Sequence, residues 1–282
     1  MILQKEIIEQ AKQWQVPADT VDKDYVLGHF LSVFIEKYKD DLVFKGGTCL
    51  RKCYIENYRF SEDLDFTAVD KAFVLEQKTL SKIVKQVTAQ TGILFFIEPI
   101  KKLLFKNELK GYQVKLKYWG ANHSRNQAPP PHNRWNTKIK LEISTDESLL
   151  LESSTQVIMH PYSDALTGLN NINCYDLKEV ISEKLRALKQ RSYTAPRDFY
   201  DLYYLTKDFN KEDWHTIKLY FLKKMKLKNL EYTSPKDLIE ESKLTNVEKA
   251  WKNSIQHQIK IENQADAHKI ITTVAQRIKK YL

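Results

Sequence analysis

Asp63 and Asp65 stand two residues apart in the run Arg59-Phe-Ser-Glu-Asp-Leu-Asp-Phe66. On a strand, positions i and i+2 face the same side, roughly 6–7 Å apart along the chain. The two carboxylates then share one face while Leu64 and Phe66 point into a core. Carboxylates so placed repel each other unless a cation sits between them. Hard oxygen ligands of this kind suit Mg²⁺ or Mn²⁺, and such ions promote in-line displacement at phosphorus. An exposed acidic edge strand would show the same Asp-x-Asp, so the pair does not decide the matter alone. Gly46-Gly47-Thr48 supplies a second piece. Leu42–Lys45 reads as a short buried strand, the glycines break it, and Thr48 is placed to cap a helix running to about Tyr54. Glycines let the backbone approach a phosphate closely, and a helix start offers unpaired N–H groups and a positive dipole end. Most strand-to-helix glycine pairs are merely turns, and the spacing fits neither the Gly-Lys-Ser/Thr loop nor the dinucleotide fingerprint.

A third acid would complete a metal site. In Lys138-Ile-Lys-Leu-Glu-Ile-Ser144, the residues Ile139, Leu141 and Ile143 form one face, and Glu142 shares the other with Lys138 and Lys140. A lone Glu there is usually just solvated, and Asp146 or Glu147 beyond the strand can serve instead. Two later polar residues lie on apolar helix faces. Lys184 falls in the stripe of Leu177, Val180, Ile181, Leu185 and Leu188, where a lysine must snorkel out or meet an anion. Asp198 lies four residues before Leu202 and faces the same kind of core. Patterning leans toward a structural Lys184–Asp198 ion pair; the other reading is a lysine for a polyphosphate with an aspartate beside it.

The elements that must position these groups follow from periodicity. Ile2–Gln13 and Asp22–Tyr38 are predicted helices. Arg59–Ala68 contains a predicted strand, Lys71–Thr91 is a helix, and Ile93–Glu98, Tyr112–Trp119, Lys138–Ser144 and Ser154–Met159 are further strands. Asn122–Asn136, with Pro129-Pro130-Pro131, reads as a loop with little that packs. Asp176–Gln190 and Arg197–Lys207 are helices around Pro196, and the remainder is Lys-rich and helical. The expected organisation is a helical lead-in (1–38), an α/β core (39–170) and a helical C-terminal region (171–282).

Bulk composition narrows the class. The apolar share of 42% over 282 residues builds a real core. No apolar run nears the ~18 residues of a membrane span, and the N-terminus lacks a signal-peptide pattern. Cys49, Cys53 and Cys174 are the only cysteines, which form no disulfide framework and fit a reducing cytoplasm. They read as core thiols rather than metal ligands. The net charge is +9, and the segment from Pro99 to Lys140 carries ten Lys/Arg against the single acid Glu108. Such a local basic strip suits an anionic partner, nucleic acid first, although a solvated basic loop reads the same way.

Four segments in one order carry a resemblance: Phe44-Lys-Gly-Gly-Thr-Cys-Leu-Arg51, Arg59-Phe-Ser-Glu-Asp-Leu-Asp-Phe66, Glu183-Lys-Leu-Arg-Ala-Leu-Lys-Gln-Arg191 and Arg197-Asp-Phe-Tyr-Asp-Leu202. Together they resemble the AbiEii nucleotidyltransferase family, toxins of type IV toxin–antitoxin and abortive-infection systems that include the MenT toxins. The resemblance implies an α+β fold: a polymerase-β-like nucleotidyltransferase core with a mixed sheet, N-terminal helices and a helical C-terminal half. It implies that Gly46, Gly47 and Thr48 cradle the triphosphate of an NTP, supported by Arg59 and Ser61. Asp63 and Asp65 would hold Mg²⁺ or Mn²⁺. Lys184 and Asp198 would complete the catalytic set. Glu142 stands where the superfold most often has Asp, as a third metal ligand. The implied acceptor is RNA, in some members the tRNA 3′ end, with translation blocked as the result. On that reading the basic strip, through Lys101, Lys102, Lys106, Lys115 and Lys117, holds RNA, with Tyr112, Tyr118 and Trp119 interleaved for stacking. A cognate antitoxin encoded nearby is implied as partner, and no membrane. A protein or small-molecule acceptor keeps the same chemistry, and a non-catalytic nucleic-acid-binding module on the same scaffold is the reading from another class.

Overall fold

The computed structural model describes residues 1–282 apart from 125 and 192–194, and apart from the side chain of residue 261. The chain divides into two units, Met1–Tyr175 and Asp176–Leu282.

The first unit is built on a mixed sheet in the order β3-β5-β6-β2-β1-β8-β7, with β4 also paired to β5. The strands are β1 (Leu42–Lys45), β2 (Asp63–Ala68), β3 (Leu94–Ile97), β4 (Lys101–Phe105), β5 (Glu108–Trp119), β6 (Lys138–Ser144), β7 (Ser154–Val157) and β8 (Asn171–Cys174). β2 runs antiparallel to β1 and parallel to β6, and this pairing fixes the site. Alternation along β2, β5 and β6 puts Leu64, Phe66, Val114, Leu116, Tyr118, Ile139, Leu141 and Ile143 on one face, each at most 1% exposed. Burying each large apolar side chain contributes about 1.5–3 kcal/mol. Three helices cover that face or one another: α1 (Gln4–Trp14), α2 (Ala18–Tyr38) and α4 (Gln77–Thr91). α2 is buried almost all round, including Asp22, Asp24 and His29, as expected of a central helix. The opposite sheet face keeps the polar members of the alternation.

The second unit is helical: α5 (Leu177–Gln190), α6 (Pro196–Leu205), α7 (Lys211–Leu227), α8 (Glu241–Ser254) and α9 (Ala267–Tyr281). Its helix starts follow the sequence closely. Asp176 caps α5, Pro196 opens α6, and Asn210 with Asp213 forms a capping box at α7. α5 packs on α7, and α6 on α8 and α9. Between α5 and α7, the buried Lys224 ammonium meets Glu179 at 2.7 Å and Glu183 at 3.1 Å.

Several sequence expectations need correction. The helix after β1, α3 (Gly46–Cys49), starts two residues before Thr48 and continues as a π-helical turn, Leu50–Tyr54. Thr48 therefore does not cap it. Within the Arg59–Ala68 stretch the strand itself is Asp63–Ala68, as the alternation places it, and Arg59 and Ser61 ahead of it sit buried behind the glycines. Helix α4 starts at Gln77, six residues later than expected. Strands β4 and β8 are additional to those the periodicity predicts. β4 holds two lysines and mostly exposed side chains, so burial left no alternation to read, and β8 is only four residues long, two of them asparagines. The Pro-rich loop also packs more than its composition suggests. Trp135 is 8% exposed and its Nε1–H donates to the Pro130 carbonyl at 2.8 Å.

Candidate active site

Asp63 and Asp65 project from β2 onto the polar face of the sheet. Register places Lys45 of β1 opposite Asp65, while on the other side Lys140 and Glu142 of β6 lie opposite Asp63 and Asp65. One more strand out, Gln113 and Lys115 of β5 lie opposite Glu142 and Lys140. The expected alternation thus assembles a charged surface from neighbouring strands.

The glycines fit closely against this surface. Gly46 has φ +82°, a left-handed conformation that favours glycine, and a Cβ there would come within 2.5 Å of Asp65 Oδ2. At Gly47 a Cβ would meet Ser61 Oγ at 2.8 Å and Arg59 Nη2 at 2.9 Å. The helix start is therefore pressed against the second motif, with Arg59 and Ser61 shaping its back. Thr48 is buried and its hydroxyl donates to the Asp63 carbonyl oxygen. Its role here is to tie α3 to β2, not to present a free donor to a phosphate. The turn behind α3 is anchored by buried Asp24, which accepts from Arg51 Nε at 2.7 Å and Lys52 Nζ at 2.8 Å. Burial alone would raise the Asp24 carboxyl, but the two cations outweigh it and hold it well below the usual range.

Immediately around Lys140, three acids, Asp63, Asp65 and Glu142, face one ammonium. Burial pushes the Asp65 carboxyl up to about 6; Lys45 and Lys140 pull it down, while Asp63 and Glu142 push it further up. Lys45 is itself bound by Glu147, which also accepts from Thr67 Oγ1 at 3.2 Å. Lys140 Nζ lies 3.2 Å from Asp63 Oδ2 and 3.6 Å from Glu142 Oε2. Burial lowers the Lys140 ammonium, and Asp63, Glu142 and Asp65 more than reverse this, so it stays charged above the usual lysine range.

A divalent ion fits this donor set. Carboxylate oxygens are the hard ligands Mg²⁺ and Mn²⁺ take, and the Lys140 ammonium already lies 3.2 Å from Asp63 Oδ2, where a cation would sit. Glu142 is held apart from the pair: Lys140 lies against it and Gln113 Nε2 donates to it at 3.2 Å. Among the described residues, the sets of three potential ligands whose donor atoms all lie within 4.8 Å are Cys49/Cys53/Cys174 and His29/His160/Asp164, not Asp63/Asp65/Glu142. Like-charge repulsion and the intervening lysine account for the spread.

In the helical unit, Lys184 and Asp198 do meet. Lys184 Nζ lies 3.1 Å from Asp198 Oδ1 and 2.5 Å from Asp201 Oδ2. Arg191 donates to the other Asp198 oxygen. Asp198 is 4% exposed and Asp201 fully buried. The expected pair is thus a four-residue network. Asp201 lies in the fourth motif but has no role in the sequence reading; its spacing, three residues after Asp198 on one helix face, is the signal that could have found it.

Residues 29–271 match the family described as "Nucleotidyl transferase AbiEii toxin, Type IV TA system". The chain belongs to that family. Two solved structures share the fold of this AbiEii-family protein. One is MenT4, a nucleotidyltransferase toxin from Mycobacterium tuberculosis, 19% identical over 100% of this chain and 88% of its own, with a TM-score of 0.56. The other is a protein from H. pylori assigned as a nucleotidyltransferase, 18% identical over 91% of this chain and 95% of its own, at 0.51. No curated protein matches the chain by sequence. The α+β fold with a mixed sheet and a helical C-terminal half is as the family resemblance implied.

The basic strip of this AbiEii-family chain splits by strand register. Lys101 pairs with Gln113, and Lys115 and Lys117 alternate with buried residues of β5, so these three share the carboxylate face. Lys102 pairs with Tyr112 and belongs to the opposite face; Lys106 sits in the β4–β5 hairpin turn with φ 50°. Tyr112 and Tyr118 are 3% and 0% exposed and offer no face for stacking. The aromatics on the lysine side are Trp119, stacked on His123 at 3.5 Å, and Phe96, stacked on His132 at 3.8 Å. Lys45 and Lys140 are charged residues of the site that the sequence alone does not single out, because only cross-strand register reveals their neighbours. Among the described residues, no helix is long and apolar enough to cross a membrane.

Proposed function

We propose that this protein transfers NMP from an NTP to an RNA acceptor, the 3′ end of tRNA, and so blocks translation. The observation that supports the chemistry most is the pressing of the Gly46-Gly47 helix start against Asp65: a backbone anion site and a carboxylate pair within one small surface. The acceptor hydroxyl oxygen bonds to the α-phosphorus, the bond from that phosphorus to the departing pyrophosphate breaks, and the hydroxyl proton leaves to solvent. Backbone N–H groups at Gly46 and Gly47 receive the triphosphate, with Arg59 and Ser61 fixing their position. A Mg²⁺ or Mn²⁺ ion held by Asp63 and Asp65, with Glu142 as the outlying third ligand, would supply charge neutralisation at the attacking and leaving oxygens. The family resemblance gives Lys184 a triphosphate-stabilising role, and within the helical unit Asp198 and Asp201 hold its side chain in one orientation.

RNA as acceptor is supported by the face that Lys101, Lys115, Lys117 and Lys138 share with the carboxylates. The partner that restrains the toxin is a cognate antitoxin, as the type IV family name implies. The test is incubation of purified protein with total tRNA, Mg²⁺ and each radiolabelled NTP in turn. Label should enter tRNA and be lost in Asp63→Asn, which keeps the wild-type circular dichroism. Label appearing only in protein, or undiminished label in the variant, rejects this reading.

A further inference from the structure

On the far side of the N-terminal unit, α2 presents His29 to the segment 158–170, which carries His160 and Asp164. His160 Nε2 lies 3.2 Å from Asp164 Oδ1, and His29 Nε2 lies 3.5 Å from Asp164 Oδ2. The three donor atoms all fall within 4.8 Å of one another. Both histidine side chains are buried, at 1% and 6% exposure. Neither ring nitrogen of His29 has a hydrogen-bond partner among the described residues, nor has Nδ1 of His160. A buried imidazole with both nitrogens unmet is costly, and the 3.5 Å approach is too long for a charge-assisted hydrogen bond.

These separations have another meaning. Tetrahedral Zn²⁺ with bonds of about 2.0–2.1 Å to nitrogen and oxygen sets neighbouring ligand atoms about 3.3 Å apart. The two imidazole Nε2 atoms approach different oxygens of one carboxylate at 3.2 and 3.5 Å, and with all three donor atoms within 4.8 Å of one another a small inward shift of each would bring them onto one ion. The carboxylate is also oriented from behind: the Tyr25 hydroxyl donates to Asp164 Oδ2 at 2.7 Å and accepts from the Ile2 N–H at 3.2 Å, the outer layer metal ligands require. Asp164 also lines a surface pocket of about 470 Å³ with Ile2, Glu6 and Ser163, so the carboxylate edge of the cluster reaches solvent.

We propose that His29, His160 and Asp164 form a structural Zn²⁺ site. Its effect is to pin the segment 158–170 onto α2. That segment braces the turn behind the glycines, because the Met159 N–H donates to the Lys52 carbonyl at 2.7 Å and the Tyr162 hydroxyl donates to Asp24 at 2.8 Å.

The experiment uses the full chain carrying Asp63→Asn and Asp65→Asn, so that the sheet carboxylates do not contribute. After EDTA treatment and exchange into metal-free buffer, the protein is titrated with Co²⁺, then Zn²⁺. The expected result is one equivalent of Co²⁺ with a visible ligand-field band, no thiolate charge-transfer band, displacement by one equivalent of Zn²⁺, and a rise in Tm with Zn²⁺. Adding His160→Ala or, separately, Asp164→Asn should remove the band and the Tm rise. Asp164→Asn keeps the Tyr25 hydrogen bond and carries the test if His160→Ala does not fold. A band that survives both changes, no stoichiometric uptake, or a thiolate charge-transfer band placing the metal on Cys49, Cys53 and Cys174 overturns the proposal.

Discussion

Two charged clusters in this chain are built in opposite senses. On the sheet face, Asp63, Asp65 and Glu142 gather against Lys140, and Lys45 is already taken by Glu147. In the helical unit, Lys184 lies between Asp198 and Asp201, and Arg191 takes the remaining Asp198 oxygen. The first cluster sets three acids against one lysine, an arrangement that on the proposed reading takes a cation. The second is neutralised from within. The same residue types therefore respond differently to removal: loss of an acid from the first relieves repulsion, while loss of an acid from the second leaves a buried charge unpaired.

The largest effect tests the second cluster. Asp201→Ala removes a fully buried partner of Lys184 and should cost about 3 kcal/mol of stability, read as a fall in urea midpoint at unchanged slope. A variant as stable as wild type would make the network a surface pair in energetic terms, and the contrast would collapse.

Asp65→Asn breaks the comparison from the other side. Its folded carboxyl lies at about 6, above the usual 3.8, so ionisation opposes folding. The penalty is absent below pH 3.8, grows through the interval, and is complete above pH 6. Without divalent ions, Asp65→Asn should gain roughly 1–2 kcal/mol at about pH 8, after allowance for partial exposure, and nothing at about pH 3.5. Mg²⁺ should stabilise wild type and not the variant. Equal stability of both proteins at the higher pH would mean the carboxylates are compensated already.

The smallest effect concerns the lysines. Lys115→Ala with Lys117→Ala should weaken RNA binding and flatten the salt dependence by about 0.7 for each phosphate no longer neutralised. Lys102→Ala, on the other sheet face, should change neither. Equal effects from both sets would show that charge alone, not its placement beside the carboxylates, governs RNA affinity.

Much of the site is legible in the sequence. Alternation in Asp63-Leu64-Asp65-Phe66 and in Lys138–Ser144 places each side chain on its proper face, because a strand buried on one side permits no other register. Pro196 and Asp176 mark their helix starts, since local capping chemistry suffices there. Thr48 misleads because its capping competence is local, whereas its actual partner, the Asp63 carbonyl, comes from another strand. Tyr112 and Tyr118 mislead similarly, for tyrosines between lysines look like stacking platforms until alternation buries them.

What the sequence determined by itself is the set of groups and their order: the glycine pair, the Asp-x-Asp strand, and the Lys184 and Asp198 helices, which suffice to mark the family. What only the tertiary structure decided is which charges compensate which. Lys140 against Asp63, Lys45 against Glu147, Asp201 on Lys184, and His29 facing His160 and Asp164 all join residues distant in sequence or on separate elements. Electrostatic energy depends on separations of a few ångströms, and such separations are fixed by strand register and helix packing rather than by the spacing of residues along the chain.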